Sequence, residues 1–228
     1  MGIRVISVGE YADIYSQDFR SMSYAGVTYE GNITSATEIE VYDSDRMAII
    51  VALDNYDIAI RIARRFYQRS VLTIGLSDNI IEENGCFDAQ HLYRSYNICG
   101  IVEALIRPIV TPSLNSFDFN DIRAALKDAG NYTTLFAYDD NADNLINKIK
   151  FKKSYLCLNN FKSACINLYF NPTSTIAKDE IAKVKGLLDI MPVDCNTVFG
   201  LHHDSTLEPD SLELSMIIAG ISSNKFYI

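Results

Sequence analysis

The sequence predicts an α/β protein with an N-terminal parallel-sheet domain, a long central helix and a smaller C-terminal α/β domain. Three observations support this fold class. Short apolar runs alternate with segments of helical period, which is typical of βαβ units. A broad helical pattern then separates two such regions. A loop with two aspartates follows this pattern and opens another helix.

The first region contains a predicted βαβ unit. After its second apolar run, Asp54 and Asn55 suit a helix N-cap, and residues 57–69 carry an apolar stripe at helical spacing. Residues 10–45 are polar and weakly patterned, so no elements are assigned there. The runs that indicate buried strands are residues 3–8, 46–53 and 71–76.

A central helix and a second α/β region are predicted next. Residues 89–110 have helical period throughout, and Pro108 is expected to kink or end that helix. A further helix is predicted for residues 121–127. The strands predicted after it are residues 132–138, 164–170, 197–202 and 212–221, and the helices are residues 141–149 and 176–190.

The most informative segment is residues 112–123, Pro-Ser-Leu-Asn-Ser-Phe-Asp-Phe-Asn-Asp-Ile-Arg, called the carboxylate loop below. It places Asp118 and Asp121 three residues apart at the start of a helix. Acidic side chains stabilise the N-terminus of a helix, so the pair is explained as a cap and a first-turn acid. Two carboxylates on one turn also suit contact with a neighbouring molecule. Both interpretations stay open on the residues alone.

Composition excludes several classes of function. The chain has 228 residues, 48% of them hydrophobic and 21% charged, as expected for a globular protein with a core of its own. Its net charge of −9 argues against binding to nucleic acid and to anionic membranes, because both require clustered Lys and Arg. We also see no secretory signal and no run long enough for membrane insertion, so a cytoplasmic location is predicted.

Cysteines and histidines give no sign of a metal or catalytic centre. The odd number of cysteines without close pairs predicts thiols, mostly buried, in a reducing compartment. His202 and His203 are neighbours on a predicted strand and point to opposite faces, so they are expected to be ordinary surface or strand-end residues. The cysteines are Cys86, Cys99, Cys157, Cys165 and Cys195.

The carboxylate loop resembles the catalytic loop of FtsZ, the bacterial homologue of tubulin, whose usual form is Pro-Gly-Leu-x-Asn-x-Asp-Phe-Ala-Asp-Val-Arg. Here Ser113 replaces the glycine, and the segment from Asn115 to Asp118 is one residue longer. The resemblance is clearest over residues 89–221. Other segments similar to FtsZ are residues 72–75, Gly130 with residues 132–137, and residues 196–200 with 212–221, which resemble its closing hairpin.

The resemblance implies an FtsZ/tubulin-like fold, in which the carboxylate loop acts across a filament contact on GTP held by the next subunit. It also implies three segments. Residues 1–88 form a reduced half similar to the nucleotide domain, residues 89–129 hold the central helix and the carboxylate loop, and residues 130–228 form the C-terminal domain.

The expected phosphate loops depart from the family pattern. FtsZ binds GTP with a glycine-rich first loop and a second loop of the type Gly-Gly-Gly-Thr-Gly, because backbone N–H groups must approach the phosphates closely. This chain keeps only Gly9, which is followed by Glu10, and its second loop contains Asp54, Asn55 and Asp57. A carboxylate about 4 Å from a phosphate costs about 1 kcal/mol per charge pair in bulk water and more near a protein. We therefore expect a degenerate nucleotide pocket that does not bind GTP as FtsZ does.

The function predicted from the resemblance and its departure is protein–protein contact without GTPase activity and without a cofactor. Such a protein caps or modulates FtsZ-like filaments, or assembles by itself without nucleotide; its partner is an FtsZ-like subunit or a second copy. The alternatives are a divergent GTP-binding cytoskeletal GTPase with atypical loops, or a scaffold in which only the fold survives. The predicted partner-binding residues are Asn115, Phe117, Asp118, Phe119, Asp121 and Arg123.

Overall fold

The computed structural model describes residues 2–79, 81–82, 85–91, 97–174 and 178–221. The chain divides into two compact units. Unit 1 contains Met1–Glu103 and Leu126–Tyr132, and unit 2 contains Ala104–Ala125 and Thr133–Ile228.

Unit 1 is built on a parallel sheet in the order β2-β1-β3-β4-β5, followed by the first residues of β6. Val8 at the end of β1 pairs with Ala52 at the end of β3, so the loops that follow these two strands start side by side. The strands are β1 (Gly2–Val8), β2 (Val27–Ile33), β3 (Asp45–Ala52), β4 (Leu72–Ser77), β5 (Ala89–His91) and β6 (Gly130–Asp139).

The helices of unit 1 confirm the predicted βαβ unit. The predicted helix at residues 57–69 is α3, which buries Ala59, Ile62, Ala63 and Phe66 in the core. Residues 10–45, for which no elements are predicted, contain two short helices and an edge strand. These elements are too short and too exposed to give a clear hydrophobic period. The helices are α1 (Glu10–Asp13), α2 (Ser16–Ser21), a 3₁₀ turn (Ala36–Glu38) and α3 (Tyr56–Gln68).

The single helix predicted for residues 89–110 is wrong at its start. Ala89–His91 is the strand β5, which pairs with β4 on one side and with β6 on the other. Two neighbouring strands outweigh local helical periodicity there. Residues 92–96 lie outside the described residues, and the helix α4 covers Ile98–Val110. Pro108 lies inside α4, which ends two residues later.

Unit 2 holds a mixed sheet in the order β6-β9-β7-β8. β7 pairs in parallel with β8 and antiparallel with β9. The strands predicted for this region are confirmed, but the predicted hairpin of the last two is wrong, because β7 lies between them. The elements are α5 (Phe119–Leu126), α6 (Ala142–Tyr155), β7 (Ser163–Phe170), α7 (Lys178–Val184), a 3₁₀ turn (Lys185–Ile190), β8 (Asn196–His203) and β9 (Leu212–Ala219).

Burial explains the position of β7. All eight of its residues are buried, so both of its edges and both of its faces need cover. The helix predicted for residues 176–190 is only partly confirmed: α7 runs into the 3₁₀ turn, and residues 176–177 lie outside the described residues.

The five cysteines are thiols, as predicted, but they are not mostly buried. Cys86 and Cys165 are buried, Cys99 and Cys195 are half-buried, and Cys157 is exposed. Among the described residues, no helix combines the length and the hydropathy needed to cross a bilayer.

Candidate functional site

Two places carry the predicted site residues, and the first is the carboxylate loop in unit 2. The helix α5 begins after Asp118, whose Oδ1 accepts a hydrogen bond from the backbone N–H of Asn120 at 2.6 Å. Asp121 Oδ2 accepts from the backbone N–H of Asp118 at 2.8 Å. This arrangement is a variant of the capping box, in which the N-cap side chain accepts from the second helical residue instead of the third. Because Asp118 is exposed and Asp121 half-buried, capping does not remove them from a surface that a partner can reach.

Backbone pairing fixes the loop to the edge of β8. Ser113 forms an antiparallel bridge with His202, and the N–H of Leu114 donates to the carbonyl of Leu201 at 2.8 Å. The side chain of Asn115 completes the attachment: its Oδ1 accepts from the N–H of Leu201 at 3.0 Å, and its Nδ2 donates to the carbonyl of Phe199. Asn115 therefore positions the loop.

Phe117 points into unit 2 and is 6% exposed. Its ring packs edge-on against the ring of His202, with centroids 5.7 Å apart. A side chain at Gly200 would crowd the same ring, since an added Cβ would lie 3.1 Å from Phe117 Cδ2. Phe117 therefore anchors the loop. The prediction that Phe117 contacts a partner is wrong, because its ring is buried inside unit 2.

His202 lies near the end of β8, one of the two positions expected for it, but it is fully buried and is not a surface residue. Its Nε2 lies 3.0 Å from Asn167 Oδ1, and its ring stacks on Tyr169. Desolvation lowers the pKa of His202 to about 4, so the ring is neutral near pH 7. His203 lies on the opposite face, half-buried against Phe170, as strand alternation predicts.

Both departures from the FtsZ loop pattern have a local structural role. The hydroxyl of Ser113 accepts hydrogen bonds from the backbone N–H groups of Asn115 at 3.3 Å and of Phe117 at 3.2 Å. Ser116 adopts a left-handed conformation with φ of 62°, which reverses the chain between the strand-like part of the loop and α5. The longer loop is therefore closed by one turn residue.

The residues that the carboxylate loop exposes differ from the predicted partner-binding residues. Phe119 and Arg123 are half-buried, so only part of each side chain can contact a partner. Sequence reasoning missed the exposed residues Leu114, Ser116 and Asn120, because the motif does not show which side chains face solvent; Asn115 is exposed as well, although its amide is bonded to β8. The exposed row consists of Leu114, Ser116, Asp118 and Asn120.

The second place holds the residues of the predicted nucleotide pocket and lies after β1 and β3 in unit 1. The carboxyl ends of neighbouring parallel strands are the usual place for a ligand in such sheets. Gly9 has a φ of 81°, and its open side is occupied by the side chains of Asp54 and Asn55. A methyl group added at Gly9 would overlap the carboxylate of Asp54 and lie 2.5 Å from Asn55 Nδ2. Glu10 and Asp57 are exposed beside them.

The hydrogen bonds here explain why Asn55 does not cap α3. It occupies the N-cap position as predicted, but its side chain makes no cap bond. Its Nδ2 instead donates to Asp54 Oδ2 at 3.0 Å. Asp54 Oδ1 is buried and has no hydrogen-bond partner among the described residues. The carboxylate of Asp54 therefore lies against the backbone of Gly9, at the carboxyl end of β1.

Within the described ranges, no three His, Cys, Asp or Glu side chains come close enough together to hold a metal ion. The predicted partner-binding residues lie together in one loop and helix start, and the predicted pocket residues lie together at two adjacent strand ends.

Comparison with known proteins finds similarity in structure only. No family model matches the sequence, and no curated protein matches it. The structure is similar to the FtsZ dimer from M. jannaschii, with 13% identity and a TM-score of 0.73 over 97% of this chain and 89% of that chain. A mutant of the same FtsZ gives 12% identity and a TM-score of 0.75 over 99% and 93%.

Two other groups of cytoskeletal proteins show the same similarity. A CetZ protein from Haloferax volcanii with GDP bound has 13% identity and a TM-score of 0.61, covering 96% of this chain and 94% of that one. A TubZ from Bacillus thuringiensis, in GDP-form protofilaments, has 10% identity and a TM-score of 0.62 over 96% and 86%. The chain therefore has the FtsZ/tubulin-like fold that these proteins share.

Proposed function

We propose that this chain is an FtsZ-like protein that acts by protein–protein contact and does not hydrolyse GTP. It caps or modulates filaments of FtsZ-like or tubulin-like subunits, or assembles with copies of itself without nucleotide. The fold supports the class of protein, since similar structures include an FtsZ dimer and TubZ protofilaments. The carboxylate loop is the proposed contact surface.

The observation that carries the proposal is the carboxylate of Asp54 packed against Gly9. A phosphate needs that space and needs N–H donors around it. Asp54 fills the space and brings a negative charge, and Glu10 and Asp57 add two more at the rim. Binding of triphosphate would require the Asp54 side chain to turn away from Gly9.

The carboxylate loop suits recognition of another protein for a separate reason. Its exposed row is held by backbone pairing to β8 and by the capping box of α5, so little conformational entropy is lost when a partner binds. Leu114 is 55% exposed and offers apolar area, while Asp118 offers a charge that a cationic or N–H-rich partner surface can neutralise.

The first test is equilibrium dialysis of the full chain with labelled GTP and Mg²⁺. We expect no saturable binding below about 1 mM, because the phosphate position is occupied and negative. An FtsZ that binds GTP serves as the positive control. Saturable micromolar binding would replace this proposal with the alternative, a divergent GTP-binding GTPase.

The second test is sedimentation of an FtsZ that polymerises with GTP, in the presence of sub-stoichiometric amounts of this chain. We expect shorter polymers or less pelleted polymer, and loss of this effect in Leu114→Asp, which leaves the capping box in place. Asp118→Asn retains the cap and removes only the charge, so it measures the electrostatic part. Asp189→Asn, at an exposed position on the 3₁₀ turn, is the matched control.

Two results would contradict the contact proposal. One is unchanged polymer with every form of the protein, together with no self-assembly of the chain that Leu114→Asp weakens. The other is an effect that Leu114→Asp and Asp189→Asn reduce equally, since the carboxylate loop would then have no special part in it.

A further inference from the structure

An exposed aromatic pair lies on α6, outside both places described above. The rings of Phe151 and Tyr155 stack at a centroid distance of 6.3 Å and an angle of 18°. Phe151 is 71% exposed and Tyr155 is 67% exposed, while α6 buries Leu145 and Ile149 on its other side. The pair therefore adds nothing to the core of unit 2, and it presents a flat apolar surface to solvent.

Positive charge surrounds this pair. Residues 144–177 contain five lysines and no Asp or Glu, in a chain whose net charge is −9. Lys148 is partly neutralised by Asp139, whose carboxylate lies 2.7 Å from its Nζ, and Lys152 donates to the carbonyl of Phe136 at 2.5 Å, which leaves its charge unneutralised. Lys150 and Lys152 are both exposed and flank Phe151 in sequence. We call Lys148, Lys150, Phe151, Lys152 and Tyr155 the basic aromatic patch.

A second exposed apolar pair lies at α1 and carries the opposite charge. Tyr11 is 63% exposed and Ile14 is 71% exposed. Residues 5–19 contain three acids and no Lys or Arg. Glu10 and Asp18 are exposed near the pair, whereas Asp13 is half-buried and packs beside Gly31. We call Glu10, Tyr11, Ile14 and Asp18 the acidic apolar patch.

We propose that the basic aromatic patch of one copy docks on the acidic apolar patch of a second copy. Each patch joins an apolar pair to charges of one sign, and the signs are opposite, so contact would bury both pairs and match the charges. The two patches differ, so each contact joins a basic aromatic patch of one copy to an acidic apolar patch of another. The chain therefore associates in a repeating, salt-sensitive manner that does not involve the carboxylate loop.

The charge of the whole chain favours a second copy over other anionic partners. A protein of net charge −9 is repelled by nucleic acid and by anionic lipid at low salt. A second copy carries the same net charge, but it also presents an apolar pair of matching size beside its acids. Repulsion between the remaining charges is screened beyond about 8 Å at physiological salt, while the paired patches lie in contact.

The test is a charge exchange followed by sedimentation velocity over a range of concentrations, at about 0.05 M and about 0.5 M salt. One variant is Lys150→Glu/Lys152→Glu, and the other is Glu10→Lys/Asp18→Lys. The natural chain should associate at low salt, and each variant alone should associate at least about tenfold more weakly, a change of about 1.4 kcal/mol. An equimolar mixture of the two variants should form a heterodimer, because the exchanged charges again match.

Three controls complete the experiment. Arg61→Glu/Lys185→Glu makes the same charge change at exposed positions elsewhere and should associate like the natural chain. Phe151→Ser should weaken association without changing charge, and far-UV circular dichroism checks that each variant is folded. Leu114→Asp should associate normally through these patches, which separates failure of this inference from failure of the proposed function.

Several outcomes would overturn the inference. A natural chain that stays monomeric at every concentration and at low salt is one, and a variant mixture that does not form the heterodimer is another. Flotation with vesicles of phosphatidylcholine and phosphatidylglycerol is run in parallel. Vesicle binding that is lost in Lys150→Glu/Lys152→Glu, without any self-association of the natural chain, would assign the basic aromatic patch to lipid instead.

Discussion

At the residue scale, Gly9 has two reasons to be glycine. Its φ of 81° is unfavourable for other residues, and the side chain of Asp54 leaves no room for a Cβ. Gly9→Ala should therefore destabilise the protein by about 2 kcal/mol, of which about 1 kcal/mol comes from the backbone conformation. Urea denaturation of Gly9→Ala, Asp54→Ala and the double variant measures this.

The double variant separates the two causes. Removing the Asp54 carboxylate makes room for the new methyl group, so the double variant should recover the steric part of the loss but not the conformational part. Strictly additive losses would contradict the close packing of Asp54 on Gly9.

His202 gives a prediction about pH. The folded pKa of about 4 lies below the usual value of 6.5, so the unfolded chain binds more protons between these values. Stability from this residue is complete above about pH 6.5 and is lost as the pH falls toward 4, by about 3 kcal/mol at most. Urea denaturation between pH 7 and pH 4 is the measurement.

The matched variants for this prediction are His202→Gln and His203→Gln. His202→Gln should flatten the pH dependence, although it also lowers stability at pH 7 because a fitted buried ring is lost. His203→Gln should keep the slope of the natural chain. A slope that His202→Gln leaves unchanged would assign the acid sensitivity to carboxylates elsewhere.

At the element scale, the carboxylate loop depends on one side chain for its place on β8. Asn115 makes two hydrogen bonds to the backbone of β8, to Phe199 and Leu201. Asn115→Ala should cost about 1–2 kcal/mol and should speed hydrogen exchange of the N–H groups of Leu114 and Leu201. Exchange that stays slow there would mean that backbone pairing alone fixes the loop.

The capping box predicts a graded response at the start of α5. Asp118→Ala should lose about 1 kcal/mol, and Asp118→Asn should be nearly neutral, because Asn caps as well as Asp. Thermal denaturation of both variants checks this. Equal losses would show that the negative charge of Asp118, rather than its hydrogen bond to Asn120, stabilises the helix start.

At the scale of the whole molecule, the sequence predicted most elements and their order, because long buried strands and amphipathic helices such as α3 carry strong periodicity. It did not predict β5, whose three residues are too few to show a period. It also placed β8 and β9 in a hairpin, since a linear pattern does not show that β7 lies between them. Strand order is a property of the packed sheet.

The sequence predicted where the candidate site residues lie along the chain better than it predicted which way their side chains point. The motif identified the carboxylate loop, but burial of Phe117 and the two bonds of Asn115 depend on β8, more than 80 residues later. The composition of the two loops predicted that a phosphate cannot approach their backbone N–H groups closely and would be repelled by their carboxylates. That Asp54 closes on Gly9, and that Asn55 turns away from its helix, follows only from the packed structure.

The proposed closure of the phosphate position by Asp54 also predicts how the whole molecule responds to nucleotide. A ligand that binds only the folded state raises the melting temperature, so GTP or GDP at about 1 mM should leave it unchanged. Differential scanning fluorimetry with and without Mg²⁺ is sufficient for this test. A rise of several degrees with GTP would contradict the closed pocket and would favour the GTPase alternative.

The carboxylate loop also shields the border of a sheet. The N–H of Leu114 donates to the carbonyl of Leu201, and the side chain of Asn115 accepts from the N–H of Leu201. Both peptide groups of this edge strand would otherwise lack a hydrogen-bond partner in the protein. A partner that displaced the loop would expose unpaired N–H and C=O groups of an edge strand, which promotes aggregation. A partner must therefore bind while the loop remains paired with β8. Residues that hold the loop in place, such as Asn115, should tolerate substitution poorly even where they make no contact with the partner.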